Sequence, residues 1–118
     1  MNPRTPVVVG VGQVLNRSKD VDDAIEPIQM MLTALYRAEE DSGARLLGQV
    51  GSVRVIRGVW DYGNPAGFIA ERIGSSNSET MGTLFGGNQV QAVLNRSCLD
   101  ILSGEHDLIV LTGAENGN

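Results

Sequence analysis

Hydrophobic rhythm changes repeatedly along this chain. Short β-branched apolar runs alternate with longer segments in which apolar residues recur every third or fourth position, and glycine stands at the joints. Residues 6–14, PVVVGVGQV, are apolar on both faces and read as a buried parallel strand. After a polar stretch at 15–23, Asp22 or Asp23 is placed to cap a helix, and Glu26-Pro27 suits its first turn. Ile25, Ile28, Leu32 and Leu35 form the apolar stripe of that helix, with Met31 beside it. Ser42-Gly43 ends it, with Gly43 as the left-handed cap. Residues 52–59, SVRVIRGV, read as a second strand with charge mixed in. Asn64-Pro65 breaks the chain, and 66–73 form a short helix closed by Gly74. A polar turn at 75–79 leads to a third strand at 81–85 and then to Gly86-Gly87-Asn88. From Asn88 a second long helix carries Val90, Val93, Leu94, Cys98, Ile101 and Leu102 on its apolar stripe and ends at Gly104. Residues 108–112, LIVLT, make a fourth strand, with Gly113, Ala114, Glu115 and Asn116 at its carboxyl end.

Strand, helix, strand, helix, strand, helix, strand is the order of an α/β fold. It predicts a mostly parallel, four-stranded sheet with helices on both faces. A length of 118 residues suits one small domain. Where the sheet stops, after the fourth strand, it is expected to lack partners.

Composition narrows the function. A net charge of −5 and 4% aromatic residues argue against nucleic acid as the partner, since phosphate-binding surfaces are basic and base-stacking platforms are aromatic. The single cysteine, Cys98, forms no internal disulfide, and no His/Cys cluster has metal-ligand spacing. The apolar runs are too short to span a membrane, and the opening residues lack the long apolar core of a signal peptide. The cytoplasm is therefore the expected compartment.

Several motifs have a bland and a functional reading. Gly10-Val11-Gly12 follows a predicted strand like the start of a dinucleotide fingerprint, but Leu15 stands where a third glycine is needed and no helix opens there. Small residues for close packing explain it better. His106 reads as a solvated turn histidine on the sheet edge opposite the carboxyl strand ends, and Cys98 as a core residue with a poorly nucleophilic thiol. Asp20, Asp22 and Asp23 read as a solvated, helix-capping loop. Gly86-Gly87-Asn88 is more informative. It lies between a strand's carboxyl end and a helix N-terminus, where unpaired N–H groups and the positive end of the helix dipole converge on a carbonyl, carboxylate or nucleophile. Glu115 and Asn116 are placed to face the same crevice. A tight turn with an asparagine cap remains the bland alternative.

Residues 86–116, GGNQVQAVLNRSCLDILSGEHDLIVLTGAEN, resemble the thiolase family in the order helix start, small-residue helix end (Ser103-Gly104) and apolar strand ending in Gly113-Ala114-Glu115. The opening RTPVVVGVG and Glu26-Pro27 look like the first strand and first helix of its sterol-carrier-protein-type, thiolase-like acetyl-CoA acetyltransferase branch. The resemblance implies a three-layer thiolase-like fold, with residues 1–118 as a partial N-terminal domain truncated after its fourth strand. It implies a central, largely buried helix after Gly86. It also implies acyl transfer or Claisen-type chemistry on a coenzyme A thioester, which is a substrate and not a tightly bound cofactor.

The sequence departs from the family at the nucleophile. Counting back from Gly104 puts that position at Gly87, and counting from Gln91-Ala92 puts it at Gly86. Neither is cysteine. The expected substrate-binding residues are thus Gly86, Gly87 and Asn88, with no catalytic residue and no metal. The expected partners are acyl-CoA and the remainder of the thiolase fold, in the same chain or another, in a homo- or hetero-oligomer. This chain alone is expected to be inactive. A non-catalytic thiolase-like partner subunit or acyl-CoA-binding module is the alternative.

Overall fold

A computed structural model describes residues 3–14, 27–56, 64–83 and 88–114. Among the described residues, three parallel strands form one sheet in the order β2-β1-β3: β1 Ser52–Ile56, β2 Glu79–Gly82 and β3 Ile109–Gly113. Three helices flank it: α1 Pro27–Ser42, α2 Pro65–Arg72 and α3 Gln89–Leu102. The chain moves from β1 through α2 to β2, then from β2 through α3 to the far side of β1. Right-handed crossovers running in opposite directions across a sheet place their helices on opposite faces. Accordingly α2 packs beside α1 on one face, and α3 lies on the other. The expected α/β architecture, a mainly parallel sheet flanked by helices, is present.

The α1/α2 face holds the apolar core. Val53 and Val55 of β1 meet Ile28, Met31, Leu32 and Leu35 of α1 and Ala66, Ile69 and Ala70 of α2. Ile28, Leu32 and Leu35 belong to the predicted stripe and Met31 lies beside it, because a spacing of three and four keeps them on one side of the helix, while Ile25 and the expected capping residues Asp22 and Asp23 lie outside the described residues. Gly43, Gly74 and Gly104 all have positive φ at helix ends, as expected for residues that close a helix in the left-handed region. At α2, Asn64 accepts a bond from the Gly67 N–H at 3.1 Å, and Pro65 occupies the first turn, where no N–H is missed.

Three expectations need correction. First, residues 6–14 are not a buried strand. They run outside the sheet, with Val7, Val8, Val9 and Val11 exposed, Val8 to 76%. The segment is tied elsewhere. Arg4 donates to the carbonyls of Ile101 and His106 and pairs with Asp107 at 2.7 Å. Farther along, the Val11 N–H donates to Asp41, and Arg37 donates to the Gln13 carbonyl. Gly10 and Gly12 press on the α1 backbone, where a Cβ would collide with the carbonyl oxygens of Ala38 and Ala34. The close-packing reading of these two glycines is therefore right, although the contact is with a helix.

Second, β2 begins at Glu79, where the sequence suggests a turn, because the Glu79 N–H bonds the Gly51 carbonyl and the Glu79 side chain reaches back to Ser52. Third, α3 is not largely buried. Val93 and Ser97 are buried, while Val90, Leu94, Leu99 and Leu102 are exposed. Of the predicted stripe, Val93 is buried, Cys98 and Ile101 are half-buried, and Val90, Leu94 and Leu102 are exposed.

Candidate functional site

Parallel strands bring their carboxyl ends to one edge. Ile56, Gly82 and Gly113 end β1, β2 and β3 there, and the N-terminus of α3 opens beside Gly82. The chain leaves β1 toward α2 on one face and leaves β2 toward α3 on the other. Adjacent strands whose connections diverge in this way leave a crevice outside their carboxyl ends, where ligands of α/β sheets bind. Gly86 and Gly87 fall between β2 and α3 in the sequence but lie outside the described residues, as do Glu115 and Asn116. Asn88 is described. Its backbone is already helical (φ −77°, ψ −9°), its carbonyl accepts from the Ala92 N–H, and its side chain makes no capping bond. The cap expected of it is therefore absent, and its side chain is exposed at the mouth of the helix.

The opposite half of the α3 face carries a polar cluster that the sequence did not single out. Arg54, in the middle of β1, is 1% exposed. Its guanidinium donates to Asp100 at 2.5 Å and Ser97 at 2.9 Å on α3, to Ser52 at 3.0 Å on its own strand, and to Glu79 at 3.3 Å on β2. Arg96 also pairs with Asp100, one helical turn away. Hydrogen bonding from Arg54 holds the Asp100 carboxyl below the usual aspartate range, against the opposing effect of burial. Hydrogen bonding from Ser52 does most to lower Glu79, again against desolvation, with further help from Arg54 and His106. Every side chain in the cluster has a partner, so it acts as a clamp seating α3 on the sheet and holds no vacant ligand position. The one signal for it in the sequence was a charged residue at an inward position of a short apolar strand.

His106 joins this cluster, where the sequence suggested a solvated histidine. Its Nε2 lies 3.4 Å from Glu79, and its ring is near Gly51. It precedes β3, on the amino edge of the sheet, remote from the carboxyl-end crevice. Cys98 is also displaced from its expected place. It is half-buried on the wall of an apolar cavity between α3, α1, β3 and the N-terminal segment, not enclosed in the core. Among the described residues, no group of His, Cys, Asp or Glu is arranged to hold a metal ion, and no helix is long and apolar enough to cross a membrane.

Solved structures match this arrangement. A monomeric SCP2-thiolase-like protein type 1 from Mycobacterium smegmatis superimposes with a TM-score of 0.82 and 27% identity, over 98% of this chain and 24% of that one. A 3-oxoacyl-[acyl-carrier-protein] synthase III from Aquifex aeolicus superimposes with a TM-score of 0.68 and 12% identity, over 79% of this chain and 30% of that one. The second likeness shows the fold alone. No protein-family model and no curated protein matches the chain. The chain is thiolase-like and related to the SCP2-thiolase-like branch, and it spans about a quarter of the length of that relative.

Proposed function

We propose that this chain is the N-terminal portion of a thiolase-like acyltransferase acting on coenzyme A thioesters, and that it contributes a nucleophile-free wall to the acyl-thioester site. The observation that carries this reading is the superposition of nearly the whole chain on an SCP2-thiolase-like protein, with Gly86-Gly87-Asn88 joining β2 to the N-terminus of α3. In this reading Gly86 and Gly87 stand where the family nucleophile would be. The absence of side chains leaves room for a thioester carbonyl near the helix N-terminus, whose dipole favours an oxyanion. A glycine cannot form an acyl-enzyme, so this part of the site binds and polarises the thioester. Groups that move protons or attack come from polypeptide beyond these residues. Cys98 takes no part, since it lies on α3 about two and a half turns from the helix start.

The test is exposure of the protein to acetyl-CoA carrying a radiolabelled acetyl group. Reversible binding with no stable label in residues 86–98 is expected. A cysteine installed by Gly86→Cys or Gly87→Cys should become acylated, because a helix N-terminus depresses a thiol pKa. Stable label on Cys98 of the unmodified protein would overturn the proposal.

A second reading, a non-catalytic thiolase-like subunit, is favoured by the exposed apolar residues of α3, Val90, Leu94, Leu99 and Leu102. Absence of any acyl-CoA binding, with a stable complex formed with a second thiolase-like chain, would select it.

A further inference from the structure

Burial by itself leaves the position of α3 along the sheet open. Of its 14 residues only Val93 and Ser97 are buried, and Ser97 is polar. One buried valine draws the helix onto the sheet but does not choose between seatings one turn apart, because apolar contact is undirected. Packed helices do move past their neighbours by a turn of about 5.4 Å where two such seatings compete.

The Arg54 cluster tells those seatings apart. Val93, Ser97 and Asp100 recur at spacings of four and three, so they share the side of α3 that meets the sheet. Across from them, Arg54 lies on the central strand and is 1% exposed. Its Nε donates to Ser52 and its Nη2 to Glu79, so two other strand residues aim the guanidinium at α3. The helix answers with two acceptors. Ser97 Oγ gives its own proton to the Val93 carbonyl at 2.7 Å and meets Nη1 with a lone pair. Asp100 has both carboxylate oxygens engaged, Oδ2 by Arg54 and Oδ1 by Arg96, which fixes its orientation.

Asp100 is the only acidic residue of α3. Moving the helix by four residues in one direction brings Arg96 to the place of Asp100 and Val93 to that of Ser97. Moving it the other way brings Gly104 and Ile101. Either displacement removes both acceptors from a buried guanidinium, and the first sets a second guanidinium against it. A buried charge deprived of its partner is strongly destabilising, so these side chains admit one seating.

We infer that Arg54 is a register lock for α3 and, through it, a positioning residue for the helix start beside the carboxyl-end crevice. Gln89 lies about 16 Å along the axis from Asp100, and a helix transmits a displacement at one end to the other. The consequence for acyl-thioester binding rests on the function proposed above, whereas the lock itself does not.

The experiment separates position from adhesion. Spin labels on Gln91→Cys, exposed on α3, and Glu40→Cys, exposed on α1, in a Cys98→Ser background report where α3 sits relative to the opposite face. Double electron–electron resonance should give one narrow distance with the cluster intact. Arg54→Met with Asp100→Leu, shown to be folded by thermal melting, should broaden that distance or displace it by up to about 5 Å. Arg54→Lys keeps the cation and should hold the mean distance. Acetyl-CoA affinity, measured by calorimetry on the unlabelled variants, should fall about tenfold or more in the apolar pair and be largely restored with Arg54→Lys. Where the apolar pair does not fold, Asp100→Asn, which keeps the side-chain shape and loses the charge, takes its place. An unchanged, narrow distance in the folded variant overturns the lock. A displaced helix with unchanged acetyl-CoA affinity overturns the positioning role. If the protein with its cluster intact binds no acetyl-CoA, the proposed function fails, and the distance alone decides the lock.

Discussion

The two faces of this sheet are built by different physics. On the α1/α2 side, Val53 and Val55 meet Met31, Leu35 and Ile69 in a close-packed apolar layer. Contacts of that kind are strong in sum and undirected, so they hold layers together without choosing a register. On the α3 side, α3 buries Val93 and Ser97 and gains its seating from Arg54, whose bonds run to Asp100, Ser97, Ser52 and Glu79. Those bonds are directional. They fix the C-terminal half of α3 on the amino side of the sheet, and the helix start is thereby aimed at the carboxyl-end crevice. The lesson is that apolar burial supplies adhesion on one face while a satisfied ionic cluster supplies position on the other.

The largest effect should come from breaking that cluster. Asp100→Ala leaves the buried Arg54 guanidinium without its main counter-charge, and urea unfolding should show a loss of about 3–5 kcal/mol. The pair Arg54→Met with Asp100→Leu should recover most of it, since a well-packed apolar pair often equals a buried ion pair. A double variant no more stable than Asp100→Ala would mean the position of α3 depends on the charges themselves.

On the other face, Ile69→Ala should cost about 2–5 kcal/mol by cavity formation in a fully buried site. That cost should be the same at pH 7 and pH 4, because no nearby titrating group enters it. The α3 face should behave otherwise. The Asp100 and Glu79 pKa values are lowered in the folded chain, so their stabilisation is complete above the ordinary carboxylate range. It is lost as pH falls from about 4 through the lower folded values. Acid titration followed by unfolding should therefore narrow the difference between wild type and Asp100→Ala while leaving that of Ile69→Ala unchanged.

Smaller effects follow from partial burial. Cys98→Ser should cost about 1 kcal/mol or less, because the thiol lies on a cavity wall. Thermal melting reads this directly, and a much larger loss would place Cys98 in a closed core. Asn88→Ala should change the unfolding free energy read by urea titration by less than about 0.5 kcal/mol, since its side chain makes no capping bond.

Much of the framework was legible in the residues. Ile28, Met31, Leu32 and Leu35 announced the buried face of α1, and Gly43, Gly74 and Gly104 announced the helix ends, because periodicity and left-handed backbone are local properties. The candidate site was legible only as a place. Gly86-Gly87-Asn88 marks a strand-to-helix joint, but Gly86 and Gly87 lie outside the described residues and the Asn88 cap is absent. His106 and Cys98 were misjudged for one reason. Each has local surroundings, polar turn or apolar stripe, that differ from its surroundings in space.

The amino-acid order by itself determined the α/β alternation, the parallel sense of the sheet and the apolar face of α1, since strand and helix periods and helix-ending glycines act over a few residues. Tertiary structure alone decided that Arg54 would bind Asp100, 46 positions away, and that Val7 to Val9 would stand outside the sheet. Both outcomes depend on which surfaces meet. A charged side chain becomes a buried clamp only when a partner helix delivers a carboxylate, and a β-branched run becomes a strand only when a neighbouring strand is there to pair with it.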